Sequence, residues 1–296
     1  MNQNVRFGMM LTYPLPRPIQ RIYGLSKKIE EFGFDSLWIA DHLLFPGVEG
    51  FTADAWSVLS VLATKTEKIK LITGVTCPHR RHPAVLAQTA ATIDQFSDGR
   101  LIIGIGPGEG MNLDPFGIER KRPVSKLVEF VDIMRKLWGS DSANTFDFDG
   151  EFYTLKGAYL DIKPVQETIP VYIGANGPRT RRITGRIANG WIPITESPKS
   201  YKAHLKEVEI GATESNRNIN EIDTCLEIYT SLSEEEEELE SAKIYPMGAL
   251  ITDLRKILDA GYKIDIPEEL QELYSKKAYD IFSNLDEYIK SFLFPL

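Results

Sequence analysis

Hydrophobic residues along the first 140 positions alternate between two spacings. Short apolar runs, typical of β-strands, are followed by segments whose apolar residues recur every three or four positions, as in an amphipathic helix. The strand-like runs are Val5–Leu11, Ser36–Ala40, Ile69–Thr76 and Arg100–Ile105. Because apolar strands alternate with helices, the pattern predicts a parallel sheet covered by helices.

The alternation lapses between positions 140 and 164, where Phe146–Tyr153 is typical of a small hairpin-like insertion. It then resumes, with further strands expected at Val171–Gly174, Trp191–Ile194 and Ile222–Thr230. An open doubly wound sheet and a closed barrel both fit seven strand–helix units, whereas a complete barrel has eight in about 250 residues. The chain stops at the apolar segment Phe292–Leu296, so we expect the eighth unit to be missing.

Composition narrows the class of protein. The chain has 42 acidic and 34 basic residues, so its net charge is −8, which argues against a nucleic-acid partner. Cys77 and Cys225 lack the spacing of a metal or redox motif, so a reduced interior is expected. Without a signal-like start, a long apolar stretch or a flexible linker, the sequence predicts one cytoplasmic domain over 1–296 and no membrane contact.

Candidate functional residues come directly after the predicted strands, and ligands of parallel α/β folds bind at the carboxyl ends of the strands. Asp41 and His42 follow the second strand, and a histidine there is either a general base or a structural residue beside a capping aspartate. Gly74, Val75 and Thr76 end the third strand. A glycine at this position permits close approach of a ligand, or forms an ordinary bulge.

A glycine-rich segment ends the fourth strand and contains Gly106, Gly108, Glu109 and Asn112. It differs from a dinucleotide fingerprint because Glu109 occupies the third glycine position and Pro107 interrupts the segment. One carboxylate and one amide on flexible backbone nevertheless suit a flat ligand, with Glu109 either an acid or a surface carboxylate.

The turn of Gly177, Pro178 and Arg179 opens a helix after the fifth strand of the alternation. Its backbone N–H groups suit a phosphate, although a plain strand-to-helix turn has the same sequence features. His79 and His82 lie three positions apart but lack further ligands, so no metal site is predicted.

Taken in order, these segments resemble the luciferase-like monooxygenase superfamily from Phe7 to about Ile194. The matching segments are Gly33–His42, Thr73–Pro78, His82–Gln88, Asp98–Asn112 and Gly174–Trp191. The Gly-x-Gly-Glu-x-x-Asn pattern from Gly106 to Asn112 is most similar to the branch that uses coenzyme F420. The resemblance implies a TIM-type (β/α)8 barrel, a homodimer, and a cis peptide at Gly74–Val75 against the deazaflavin ring.

The resemblance also implies roles for individual residues. His42 would take a hydroxyl proton from an alcohol while its hydride moves to the deazaflavin, and Glu109 would manage the proton on the ring side. The residues implied to bind the cofactor are Asp41, Gly74, Val75, Thr76, Gly106, Gly108, Asn112, Gly177, Pro178 and Arg179.

One departure leaves the substrate open. The F420-dependent sugar-phosphate and alcohol dehydrogenases carry a tryptophan shortly after the Asp-His pair, where this chain has Leu43–Pro46. The first hypothesis is therefore an F420-dependent oxidoreductase acting on a small alcohol, sugar phosphate or pterin. The alternatives are an FMN-dependent monooxygenase that uses reduced flavin and oxygen, and a non-catalytic flavin-binding protein.

Overall fold

The computed structural model describes residues 5–11, 18–45, 52–230 and 233–235. Its strands are β1 Gly8–Leu11, β2 Ser36–Ile39, β3 Lys70–Thr73, β4 Leu101–Ile105, β5 Phe146–Asp149, β6 Thr154–Ala158, β7 Val171–Gly174, β8 Gly190–Ile192 and β9 Asp223–Thr224. β1, β2, β3, β4, β7, β8 and β9 form one parallel sheet in that order, and β5 pairs with β6 in an antiparallel hairpin. The seven parallel strands and the inserted hairpin confirm the predicted alternation, although the hairpin extends beyond the predicted segment.

The helices of the described residues connect these strands. They are α1 Arg21–Glu31, α2 Ala55–Ala63, α3 Pro83–Ser97, α4 Pro123–Gly139, α5 Pro178–Ile187 and α6 Pro198–Glu214. Residues at the helix ends explain where the helices begin and stop. Asp54 caps the start of α2 by accepting a hydrogen bond from the Ser57 backbone N–H at 2.8 Å. Asp98 and Gly99 end α3 in the left-handed region, with φ of 52° and 74°. No described helix is long and apolar enough to cross a membrane.

The sheet curls into part of a barrel. One face packs beneath the helices, and the other places an apolar layer inside the curl, formed by Met10, Trp38, Ile72, Ile102, Tyr172 and Ile192. Arg6, just before β1, forms a 2.6 Å ion pair with Asp223, the first residue of β9. Because β1 and β9 are the outermost strands, this pair brings the two edges of the sheet together. The curl excludes the flat open sheet, and the predicted eighth unit and Phe292–Leu296 lie outside the described residues.

A buried arginine, Arg100, connects the strands to the helices at the amino ends of the strands. The Arg100 guanidinium donates to the backbone carbonyls of Ser97 at 2.6 Å, Ala63 at 2.8 Å, and Thr66 and Ile69 at 2.9 Å each. It also donates to the Thr66 hydroxyl at 2.9 Å. Burial lowers the pKa of Arg100, and the surrounding carbonyl oxygens satisfy the charge in place of water.

Candidate active site

Three polar side chains meet at the carboxyl ends of β2 and β4. The His42 Nε2 atom lies 3.5 Å from Glu109 Oε1, and His42 Nδ1 lies 2.8 Å from Asn112 Nδ2. Asn112 Nδ2 also lies 3.5 Å from Glu109 Oε1. The His42 side chain is 14% exposed, whereas that of Glu109 is 55% exposed. The structure therefore brings together a shielded imidazole, an amide and a solvent-accessible carboxylate, three of the residues predicted from the sequence.

Asn112 connects the loops that follow β2 and β4. It ends a short 3₁₀ turn at Gly110–Asn112 and is itself buried. Its Oδ1 atom accepts from the backbone N–H groups of Leu43 at 2.7 Å and Leu44 at 3.2 Å. The amide thereby holds the chain beyond His42 in place and contacts the imidazole at the same time.

The environment of His42 favours the neutral ring. Burial lowers its pKa, and the positive charge of Arg80 acts in the same direction. Glu109 and a backbone hydrogen bond with Leu44 oppose this without reversing it. Since the ordinary pKa of histidine is about 6.5, His42 is uncharged at neutral pH.

Asp41 is enclosed by its own partners. Its Oδ2 atom accepts from Thr76 Oγ1 at 2.6 Å and lies 2.7 Å from the Arg80 guanidinium and 3.3 Å from that of Arg81. Arg81 also pairs with Asp54 at the start of α2. Asp41 thus joins the loops after β2 and β3, and a direct contact between Asp41 and the cofactor stays a prediction.

A cavity of about 450 Å³ adjoins this cluster. Its wall combines polar and charged side chains with an apolar part to which Leu43, Ala53 and Ile118 contribute. The polar and charged residues lining it are Asp41, His42, Thr52, Asp54, Arg80 and Arg81. A polar organic molecule that reaches His42 fits such a wall better than a purely apolar one.

The peptide bond between Gly74 and Val75 is cis, as the resemblance implied. The Val75 side chain packs over the ends of the neighbouring strands: a Cβ on Gly106 would lie 2.9 Å from Val75 Cγ2, and one on Gly174 would lie 3.5 Å from it. A Cβ on Gly104 would lie 2.0 Å from the Thr73 carbonyl oxygen. These strand-end glycines therefore make room for Val75 and for adjacent backbone, a reason that the sequence pattern did not reveal.

Gly108 is required by its own backbone. Its φ is 84°, and its carbonyl accepts from Arg120 Nε at 2.8 Å. A Cβ there would also lie 3.2 Å from the His79 ring. The glycine-rich segment after β4 thus holds the loop that presents Glu109, and its proposed contact with a cofactor stays a prediction.

The turn before α5 lies at the same end of the sheet. Gly177 precedes Pro178 at the first helical position, and no side chain caps the helix. Arg179 donates to Ser125 Oγ of α4 at 3.1 Å, which braces the turn. A Cβ on Gly177 would meet only Thr180 Oγ1, at 4.0 Å, so the space beside the turn is open. An uncapped helix start with open space beside it suits an anion.

Two further polar residues follow β8 and were missed in the sequence. Thr195 adopts a φ of 46°, unusual for a β-branched residue, and its backbone N–H donates to the Glu227 carbonyl at 2.9 Å. The Glu196 side chain is only 3% exposed and contacts His204 Nδ1 of α6 at 3.0 Å. Their position directly after a strand was the signal available, since the same rule selected Asp41 and His42.

The buried histidines predict how stability depends on pH. Burial is the main cause that lowers the pKa of His42 and of His79. Both ring nitrogens of His79 are shielded from solvent. Below about pH 6.5 the unfolded chain takes up protons that the folded protein resists, so the free energy of unfolding should fall as pH decreases from 7 to 5. The contribution of the two histidines should level off below their lowered pKa values.

Urea denaturation at several pH values measures this dependence. His79→Phe should flatten the decrease, because one of the two buried rings no longer titrates in the unfolded chain. His82→Asn, at an exposed helix cap, is the matched control. A free energy of unfolding that rises towards pH 5 in the wild-type protein would contradict the prediction.

Comparison with known proteins assigns the chain to a class. A profile of the luciferase-like monooxygenase family matches residues 3–280, so the chain belongs to this family. It is 32% identical over 279 residues to an F420-dependent glucose-6-phosphate dehydrogenase of Nakamurella multipartita. That alignment covers 91% of this chain and 78% of the relative. It is 30% identical over 225 residues to 5,10-methylenetetrahydromethanopterin reductase of Methanolobus tindarius, covering 76% of this chain and 65% of that protein, just under two thirds of its length.

A solved structure agrees with the fold. An F420-dependent secondary alcohol dehydrogenase in complex with an F420–acetone adduct superimposes with a TM-score of 0.77 and 28% identity. The superposition covers 94% of this chain and 83% of the dehydrogenase. The barrel-type fold implied by the resemblance is thus confirmed, and two of these three relatives are named as F420-dependent.

Proposed function

We propose that this chain is an F420-dependent oxidoreductase that moves a hydride between the deazaflavin and a small organic substrate. The observation that carries the proposal is the cluster of His42, Glu109 and Asn112 at the carboxyl ends of the strands, the end at which the Gly74–Val75 peptide also lies. Two relatives that cover most of this chain are named as F420-dependent, a glucose-6-phosphate dehydrogenase and a secondary alcohol dehydrogenase, and a third is named as a methylenetetrahydromethanopterin reductase.

The residues at this end of the sheet fit the parts of such a cofactor. The Gly74–Val75 segment would support one face of the flat ring, with Thr76 and Gly106 beside it. The uncapped start of α5 at Gly177 would accept the cofactor's phosphate on its N–H groups. When bound, the deazaflavin would supply the hydride chemistry, and the protein would orient the substrate against it.

His42 and Glu109 have different surroundings and therefore different tasks. His42 is shielded and neutral, so it would bind the substrate's oxygen or nitrogen by a directed hydrogen bond. Glu109 is open to water, so it would exchange protons with solvent. Phe45 lies 5.4 Å from the His42 ring, centroid to centroid, and would contribute an apolar surface where related dehydrogenases place tryptophan.

Equilibrium titration with F420 and, separately, with FMN tests the cofactor, using cofactor fluorescence as the signal. Tight binding of F420 alone is expected, and reduction assays with ketones, sugar-derived lactones and pterins would then define the substrate class. Preference for FMN would overturn the proposal in favour of a monooxygenase and would make oxygen consumption the next assay. Binding of neither would favour a non-catalytic role.

Gly177→Val tests the phosphate turn. The added methyl groups would enter the open space beside the α5 start and crowd the phosphate. We expect F420 affinity to fall about tenfold to a hundredfold, the equivalent of losing one charged hydrogen bond of about 1.5–3 kcal/mol. The stability of the free protein should change little, because the φ of Gly177 is −98° and its surroundings are open.

Gly24→Val is the matched control for this substitution. Gly24 lies on the exposed side of α1, with no atom within 4 Å of an added Cβ, so the variant adds the same side chain away from the proposed site. Equal F420 affinity in the Gly177 variant and the control would remove the turn from the site.

We further propose a single-domain cytoplasmic protein that acts as a homodimer on small molecules. One sheet runs through the described residues from β1 to β9, which supports one domain. Sedimentation of the purified protein as a monomer at micromolar concentration would contradict the dimer.

A further inference from the structure

We propose that Asn112 is a positioning residue that holds His42 as the neutral tautomer with its hydrogen on Nε2. The inference about the tautomer concerns the free protein. Its catalytic consequence rests on the proposed function.

The orientation of the Asn112 amide is set by the backbone. The N–H groups of Leu43 and Leu44 both point at one side-chain atom, at 2.7 and 3.2 Å. Two N–H donors can converge only on an acceptor, so that atom is the amide oxygen. The NH₂ group therefore occupies the other branch of the side chain and faces His42.

The orientation of the amide decides the state of the imidazole. Asn112 Nδ2 is 2.8 Å from His42 Nδ1, a distance at which one of the two atoms must accept. An amide NH₂ has no lone pair to offer, so Nδ1 accepts and carries no hydrogen. In a neutral ring the hydrogen is then on Nε2, the nitrogen 3.5 Å from the Glu109 carboxylate.

Most groups around the ring are consistent with this state. A protonated ring would carry a second N–H directed at the Asn112 NH₂ group, and burial and Arg80 also oppose the positive charge. Glu109 favours a hydrogen on the nitrogen that faces it. The Leu44 backbone opposes the other causes: its carbonyl accepts a hydrogen bond from the ring and raises the pKa, without offsetting burial.

For the proposed reaction, this tautomer makes His42 a hydrogen-bond donor. A neutral imidazole N–H polarises a carbonyl or imine without giving up its proton. When the substrate carbon takes a hydride from the reduced deazaflavin, the C=O or C=N electron pair would move to the heteroatom, where the Nε2–H would stabilise the growing charge. A proton from solvent, delivered by Glu109, would complete the reduced product. The site therefore suits reduction of an unsaturated acceptor, in contrast to the base role that the resemblance implied.

Nuclear magnetic resonance of the cofactor-free, ¹⁵N-labelled protein measures the tautomer directly. Long-range ¹H–¹⁵N correlation separates protonated from unprotonated ring nitrogens, and the chain has only four histidines to assign. Loss of one set of signals in His42→Gln identifies His42. We expect a protonated Nε2 and an unprotonated Nδ1 at neutral pH. A protonated Nδ1 in the wild-type protein would overturn the inference.

Asn112→Asp tests the cause. One carboxylate oxygen would still accept from Leu43 and Leu44, while the other would present an acceptor to Nδ1. We expect the hydrogen to move to Nδ1 and the pKa of His42 to rise. In Glu109→Gln, the matched control, the Nδ1 side is untouched and the amide oxygen can accept from Nε2–H, so the tautomer should stay unchanged.

The outcomes separate this inference from the proposed function. An Nε2–H tautomer that persists in a folded Asn112→Asp protein would show that Asn112 does not set it. If that variant does not fold, the wild-type spectrum still decides the tautomer. Failure to bind F420 would overturn the proposed function without affecting either spectrum.

Discussion

His42→Ala is expected to lower single-turnover hydride transfer about a hundredfold to a thousandfold, with F420 affinity nearly unchanged. The physical reason is that a shielded N–H directed at the substrate's heteroatom stabilises charge that develops only during transfer. Removing one such donor from an enzyme typically costs about 10²–10³ in rate. Stopped-flow absorbance of the deazaflavin measures the rate, and fluorescence titration measures the affinity.

His82→Asn is the matched control, since it replaces a histidine at the exposed start of α3 and leaves a side chain able to cap that helix. It should leave both quantities near their wild-type values. If His42→Ala instead weakens F420 binding as much as it slows transfer, His42 has a structural role in the site. Unchanged transfer would remove His42 from the reaction altogether.

Arg100→Met is expected to destabilise the protein by about 3–5 kcal/mol, because several buried oxygens would lose their donor and each unsatisfied one costs about 1–3 kcal/mol before the site relaxes. The guanidinium satisfies four backbone carbonyls and the Thr66 hydroxyl at the ends of α2, α3 and β3. Methionine fills similar space but donates no hydrogen bond, so buried oxygens would lose their partners. Urea denaturation followed by circular dichroism measures the change.

Arg122→Met provides the comparison for this stability loss. Arg122 pairs with Glu151 at the surface, where both side chains are well exposed, so its loss should change the free energy of unfolding by less than about 1 kcal/mol. If Arg100→Met is equally mild, its carbonyl partners find other donors or water.

Much of the architecture follows from the sequence, because the spacing of hydrophobic residues is a local property. Alternating strand and helix patterns predicted seven parallel strands and the inserted hairpin, and the structure contains both. The position of His42 and Glu109 after their strands was also predictable, since all strands of a parallel sheet end at the same side. The choice between a barrel and an open sheet came from the family resemblance, because both have the same alternation.

The tertiary structure decided what each strand-end residue contacts. His42 and Asn112 lie 70 positions apart and are joined by a hydrogen bond, and no local pattern specifies which side of an amide faces which ring nitrogen. Asp41 is bound by arginines from another loop, and Gly106 after β4 and Gly174 at the end of β7 accommodate Val75. Periodicity and chain direction thus determined which residues reach the site. Contacts between distant loops determined their orientation and charge, because packing and burial depend on neighbours that are remote in the sequence.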